Sequence, residues 1–341
     1  MAEVSLAGGA PRTRRVMDAE TRRWAKRISV LAVVAVVVAV LVLTWNITVE
    51  PFTPGFYKIV EMRATTVVTI VLVACCQAVA VVLFHTATGN RILTPSIMGF
   101  ESLYVVIQTA MVFFFGVETL NATDGVGKVL VQSAIMVAFA TVLYGWLFGG
   151  KFGNLHITLL VGLVLGTGFG TLSAFMQRML VPADFDILSA RLFGSIANSN
   201  PEYLPVGFTV LAAALFFVFK KRHRLDVLAL GRETSINLGL AYKREVLTTL
   251  ILVAVLISIS TSLVGPMTFF GFIVATLAYQ LAGSQQHRHV MPFAMLLGIV
   301  ALLGSYFVLH HIFRAAGLVT VIIEFVGGIV FVILLLRKGS L

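Results

Sequence analysis

Long apolar runs, each about the length of a bilayer crossing and separated by short polar stretches, set the pattern of this chain. A helix that spans lipid needs about 20 largely apolar residues, because the hydrocarbon offers no partner for open backbone. Ten stretches fit this template: roughly 28–48, 65–87, 97–116, 129–148, 155–178, 203–219, 246–264, 268–283, 292–310 and 318–336. The eighth is short and follows the seventh across only Gly265-Pro266-Met267. The pattern predicts an all-α polytopic membrane protein with about ten transmembrane helices. Two polar segments are too long to be turns. Lys220 to Glu245 reads KKRHRLDVLALGRETSINLGLAYKRE, whose ETSINLGL piece predicts a short helix; Met179 to Glu202 contains ILSARLFGSI, which predicts a surface helix. Neither is large enough for a domain. The chain therefore reads as a basic tail, residues 1–27, and a single membrane domain, 28–341, with an inner loop at about 220–245. Energy input from a soluble domain has to come from another chain.

Composition supports lipid as the solvent. Of 341 residues 59% are hydrophobic and 12% charged, about half the charge of a soluble chain. A net charge of +10 could suggest nucleic acid, but the basic residues form short clusters between apolar runs, which is the pattern of cationic loops flanking spans. With the N-terminus inside, 19 of the 25 Lys and Arg residues fall in cytoplasmic segments, and only Lys58, Arg63, Lys128, Arg178, Arg191 and Arg314 fall outside. That ratio predicts both termini in the cytoplasm and an even number of spans. The stretch to Arg27 carries seven basic residues before apolar Ile28 to Thr44, and no small-x-small cleavage site follows, so the first run reads as an uncleaved span.

Candidate chemistry is sparse. There is no G-x-x-x-x-G-K-[ST], H-E-x-x-H or G-x-S-x-G, so no catalytic residue or cofactor site is expected. Cys75 and Cys76 are adjacent within an apolar run and read as packing residues rather than a disulfide or a metal site. Gly162, Gly166 and Gly170 recur every fourth residue and place one bare stripe on the fifth span, for close helix packing or for lining a pathway. Ionisable residues within spans are costly. Glu324 in VIIEFVGG reads either as pathway-lining or as a structural partner, and Glu101 reads as structural. Gln77, Gln108 and Gln177 suit helix–helix hydrogen bonds. His310 and His311 are adjacent, so on a helix they point about 100° apart and suit an interface better than one ion. His287 and His289 flank Arg288 in an inner loop and read as solvated.

Three stretches carry a resemblance to a known family. Arg63-Ala64 through Gln77 to NRILTPSIMGF (Asn90 to Phe100) is similar to an "LPR…Q…NPLADPGLLG" pattern. LALGRETSINLGL (Leu228 to Leu240) resembles an "LALGDETARSLG" loop, and GPMTFFGF (Gly265 to Phe272) resembles "GPIGFVGL". Together they resemble the permease subunits of iron–siderophore and cobalamin ABC importers, over nearly the whole chain after Arg27. The resemblance implies the type II ABC importer permease fold. It also implies a second permease subunit, two ATP-binding subunits and an extracytoplasmic substrate-binding protein. The coupling segment that docks on the ATPase maps onto Leu228, Gly231, Glu233, Ser235, Asn237 and Gly239. The pathway or gate maps onto Leu155, His156, Gly166, Gly170, Ser173, Gln177 and Glu324, and binding-protein docking onto Arg63 and Arg314. The sequence departs from the family where a neighbouring arginine position is Val60, and where a Pro-His after the third motif is Ala275-Thr276. The NRILTPSIMGFESLY variant resembles the branch in which two different permeases pair, which implies a heterodimer.

The function expected from these readings is ATP-driven import of an iron(III)–siderophore or related chelate, by two permease halves that rock to alternate access. A bare ion would call for converging carboxylates or histidines that the sequence does not supply. The alternative is an ion-coupled secondary transporter, for which Glu324 is the candidate coupling residue.

Overall fold

The computed structural model describes residues 11–47, 49–50, 52–122, 125–149, 155–192, 196 and 201–313, with isolated positions at 323, 325, 329 and 332. Every regular element among them is helical. Seven helices are long and apolar enough to cross a bilayer, and two shorter apolar stretches, Leu130–Leu143 and Phe270–Leu281, accompany them. They occupy the first nine expected spans. The tenth, 318–336, falls almost wholly outside the described residues, as do Arg314 and Glu324.

Helix α1 (Pro11–Thr44) carries the basic segment into the first span without a break, and α2 (Pro54–Thr88) follows. The start of α2 is written locally. The Thr53 hydroxyl accepts the Phe56 N–H at 3.3 Å, Pro54 occupies the first turn, and Gly89 at φ 60° ends the helix. From Leu72 to Thr88 every residue of α2 is buried. A helix that is apolar all round has no face for solvent and becomes the core. Helices α7 (Leu204–Leu228), α9 (Tyr242–Val264), α10 (Phe270–Leu281) and α11 (His287–Phe307) pack around it. Gly207 of α7 and Gly271 of α10 let those backbones close on Leu72 and Val81, where a Cβ would collide with either side chain.

Helices α3 (Phe100–Ala122), α4 (Val126–Gly149) and α5 (Leu155–Arg178) follow: α3 packs mainly against α5 and also touches α4, while α4 packs mainly against α9. Gln108 of α3 donates to Gln132 of α4 at 2.8 Å, and Gln177 of α5 donates to the Thr109 hydroxyl at 3.1 Å, the interhelical role expected of these residues. The predicted surface helix is α6 (Pro182–Leu192), and the short helix of the inner loop is α8 (Arg232–Asn237). Cys75 and Cys76 are free and buried.

Among the described residues, two non-helical connections between helices lie inside the bundle. After α2 the chain turns back through a single 3-10 turn, Ser96–Met98, and Gly99 abuts the Gly166 backbone of α5. Gly166 is eleven residues into α5, about 16 Å along its axis, so the turn sits well inside the bilayer. The second stretch, Gly265 to Phe269, joins α9 to the short α10. Irregular backbone survives at membrane depth only when protein satisfies it. Here the Glu101 carboxylate accepts the Met267 N–H at 3.0 Å and the Thr268 hydroxyl at 3.1 Å.

Candidate functional site

The polar segment 220–245 forms a compact hook at the end of α7. The helix runs on past its apolar stretch through Lys220, Lys221, Arg222 and Arg224, and its last turn buries Leu228. The chain then reverses at Gly231 (φ 94°), makes α8, reverses again at Gly239 (φ 79°) and enters α9. Both glycines have left-handed backbone, which a Cβ disfavours. Two bonds lock the hook. The Ser235 hydroxyl, fully buried, lies 2.8 Å from the Val227 carbonyl and 2.6 Å from that of Gly231. At the base, Glu245 of α9 receives Lys221 and Arg224, each at 3.0 Å. Part of the loop's positive charge therefore braces α7 against α9.

The outward face of the hook is mixed. Glu233 and Asn237 are exposed beside Leu230, Ile236 and Leu238, whose exposures are 59%, 49% and 61%. These three leucine and isoleucine side chains lie off the lipid-spanning stretches, and an apolar patch of this kind marks a contact surface. Of the six loop residues expected for coupling, Glu233 and Asn237 face outward, Gly231 and Gly239 shape the turns, and Ser235 and Leu228 hold the hook to the bundle.

Beside the hook opens a cleft of about 550 Å³ lined by His85, Thr86, Arg91, Asp226, Leu230, Tyr279, Gln285 and His287 among others. Arg91 lies over the Tyr279 ring, 4.4 Å from its centroid, and donates to Gln285 at 2.7 Å. His287, expected in solvent, is 3% exposed. Its Nδ1 lies 2.6 Å from Asp226 Oδ1, its backbone N–H donates to the same oxygen at 2.9 Å, and its Nε2 lies 2.7 Å from the Thr86 hydroxyl. His289 is half-buried against the Trp24 ring, at 4.9 Å between centroids. Asp226 and Thr86 carry no sequence signal for this role; they meet only because α2, α7 and α11 converge.

The α5 residues expected to line a pathway divide between two faces. Gly166 packs on Gly99, Ser173 is buried with its hydroxyl on the Phe169 carbonyl, and Gln177 is bonded to α3. Gly170 is exposed and has no neighbour where its Cβ would be. The open face of α5 runs through Leu160, Val164, Thr167, Gly168, Thr171 and Phe175. Leu155 and His156 begin the helix, with side chains outside the described residues.

At the opposite end of the bundle, Arg63 Nη1 donates to the carbonyls of Val42, Leu43 and Trp45, the last at 2.8 Å. These are open carbonyls at the C-terminus of α1, which a cation suits. His310 and His311 sit in a π-helical turn, Val308–Ile312, stacked on Tyr306 and Phe307 respectively. Among the described residues no group of three or more His, Cys, Asp or Glu side chains could hold a metal ion.

The model of the FecCD transport family matches residues 28–337. The petrobactin import system permease protein FatC of Bacillus anthracis is 41% identical over 325 residues, covering 94% of this chain and 92% of that protein. The petrobactin import system permease protein YclO of Bacillus subtilis is 37% identical, covering 82% of this chain and 88% of that protein. A solved structure described as an inward-facing conformation of a putative metal-chelate type ABC transporter superposes with a TM-score of 0.74 at 21% identity. It covers 92% of this chain and 99% of that one. That likeness is one of fold.

Proposed function

Because the chain belongs to the FecCD transport family, we propose that it is the membrane-spanning permease subunit of an ABC importer that carries an iron(III)–siderophore into the cytoplasm. It is a multi-pass membrane protein and not an enzyme: hydrolysis belongs to separate ATPase chains. The observation that carries the reading is the hook. A helix held between two left-handed glycines, pinned by a buried serine and faced with uncovered Leu230, Ile236 and Leu238, is built to be gripped by another protein. An ion-coupled secondary transporter has no use for such a surface.

The finer assignments follow. The ATPase docks on α8 through Glu233, Asn237 and the apolar residues beside them, with both chain termini on that side. A second, different permease covers the open face of α5, and the chelate passes along that seam by Thr167, Gly170 and Thr171. Gly166, Ser173 and Gln177 hold α5 in place, and Leu155, His156 and Glu324 complete the gate. A substrate-binding protein delivers the chelate to the outer face near Arg63 and Arg314. The names of FatC and YclO make ferric petrobactin the chelate of choice. The deciding experiment is co-purification with the partner permease and the ATPase, then reconstitution with the binding protein. Ferric petrobactin should stimulate ATP hydrolysis and enter the vesicles. A chain that retains no ATPase, or that transports with a proton gradient and no ATP, defeats the reading.

A further inference from the structure

Three side chains from three helices meet under the hook. Asp226 lies in the last turn of α7, His287 opens α11, and Thr86 lies in the last turn of α2. A single oxygen, Asp226 Oδ1, faces both the His287 backbone N–H at 2.9 Å and the ring Nδ1 at 2.6 Å, and the far ring nitrogen is 2.7 Å from the Thr86 hydroxyl. We propose that this Asp226–His287–Thr86 chain is the transmission link that carries displacement of α8 into α2 and α11. The proposal rests on the permease reading above.

The connection is continuous. The Ser235 hydroxyl, shared between the carbonyls of Val227 and Gly231, holds α8 against the end of α7, and Val227 is the residue next to Asp226. The two donors on one carboxylate oxygen make the start of α11 move with the end of α7. The imidazole then spans to α2, the buried helix around which α7, α9, α10 and α11 pack. Apolar contacts between helices let them slide, which is how shear motions work. Hydrogen bonds of fixed length and direction, shielded from water, resist both push and pull. His287 and Thr86 are 3% and 5% exposed, so water has little access to the histidine–threonine end of the link, while the Asp226 end is half-buried at the cleft. The Thr86 hydroxyl also lies 2.9 Å from the Val82 carbonyl. One hydroxyl proton serves one acceptor at a time, so Thr86 donates to a neutral ring and accepts from an imidazolium. The link persists in either case.

The test uses the full transporter in proteoliposomes, with its partner permease, ATPase, binding protein and ferric petrobactin. Two quantities are read: the ATPase retained on purification, and chelate imported per ATP hydrolysed. Asp226→Ala and Thr86→Val should retain ATPase at the wild-type level and hydrolyse ATP, while import per ATP falls about three- to thirtyfold. Thr86→Ser, which keeps the hydroxyl, and Asp226→Asn, which keeps an acceptor oxygen, should preserve most of the ratio. The double variant Asp226→Ala/Thr86→Val should be no worse than the worse single variant, since both cut one chain. An unchanged ratio in an assembled Asp226→Ala or Thr86→Val complex overturns the proposal, and so do losses that multiply in the double variant. Should Asp226→Ala fail to assemble, the contrast between Thr86→Val and Thr86→Ser decides alone. Failure of the permease reading looks different: the wild-type chain itself would retain no ATPase.

Discussion

Glu101 and Met267 lie 166 positions apart in the chain, and the carboxylate of the first accepts the backbone N–H of the second at 3.0 Å. The contact explains a charge in an apolar span without assigning it to transport. Gly265 to Phe269 breaks the helical ladder between α9 and α10, and a donor left open there has no water to meet. Glu101→Ala should destabilise the protein by about 2 kcal/mol, the cost of an unsatisfied buried donor. Glu101→Gln keeps an acceptor and should lose less. Thermal unfolding in detergent reads both. Equal losses for the two variants would show that the carboxylate serves packing rather than the Met267 N–H.

The hook makes a separate prediction. Gly239 stands at φ 79° with nothing within 4 Å of where a Cβ would go, so Gly239→Ala meets a backbone penalty and no clash. That penalty is about 1–2 kcal/mol, enough to shift the conformation of the turn at the end of α8. Ser235→Ala removes the hydroxyl shared between the Val227 and Gly231 carbonyls and should loosen the other side by about 1 kcal/mol. Each variant should lower the ATPase retained on purification several-fold while leaving the thermal midpoint of the bundle nearly unchanged. A fall in both quantities together would place these residues in the core and not at an interface.

How much of this was legible in the sequence varies with the range of the interaction. Spans follow from apolar run length, and the first nine are found where hydropathy puts them, with α6 and α8 as the two helices expected in polar segments. The weak joint at Gly265-Pro266-Met267 was also visible, because a three-residue gap cannot hold a normal loop. The face of α5 that looks outward was not. It depends on the chain after α2 turning back so that Gly99 meets Gly166, and spacing along α5 alone cannot say what lies against the glycine stripe. His287 was misread for a related reason. A histidine beside Arg288 in a polar loop looks solvated until α7 brings Asp226 from 61 positions away to cap it. Arg63 likewise has local carbonyl partners on α1 that a family pattern does not reveal.

The division of α5 into two faces can be tested by chemical labelling. Cys75 and Cys76 are buried at 4% and 0% exposure, so the wild-type chain should resist a water-soluble maleimide and needs no cysteine removal. In the assembled transporter, Thr167→Cys and Thr171→Cys should react, and ferric chelate with binding protein should change their rates. Ser173→Cys, on the face toward α3, should stay unreactive. Reaction at Ser173→Cys with protection at Thr171→Cys would reverse the assignment of faces and return Ser173 to the pathway.

Topology gives the last prediction, and the others depend on it. Arg222 is exposed on the extension of α7, four residues before Asp226, and Arg232 is exposed at the start of α8. The excess of Lys and Arg in these segments predicts that they lie in the cytoplasm. A membrane-impermeant thiol reagent should therefore reach Arg222→Cys and Arg232→Cys in inside-out vesicles and not in intact cells. Lys58→Cys, near the start of α2 and thus across the bilayer, should show the reverse. The 35 residues of α2 span about 52 Å, more than the hydrocarbon thickness, so its two ends cannot share a side. Labelling of Arg222→Cys from outside intact cells would invert every loop at once and leave α8 with no ATP-bound partner to meet.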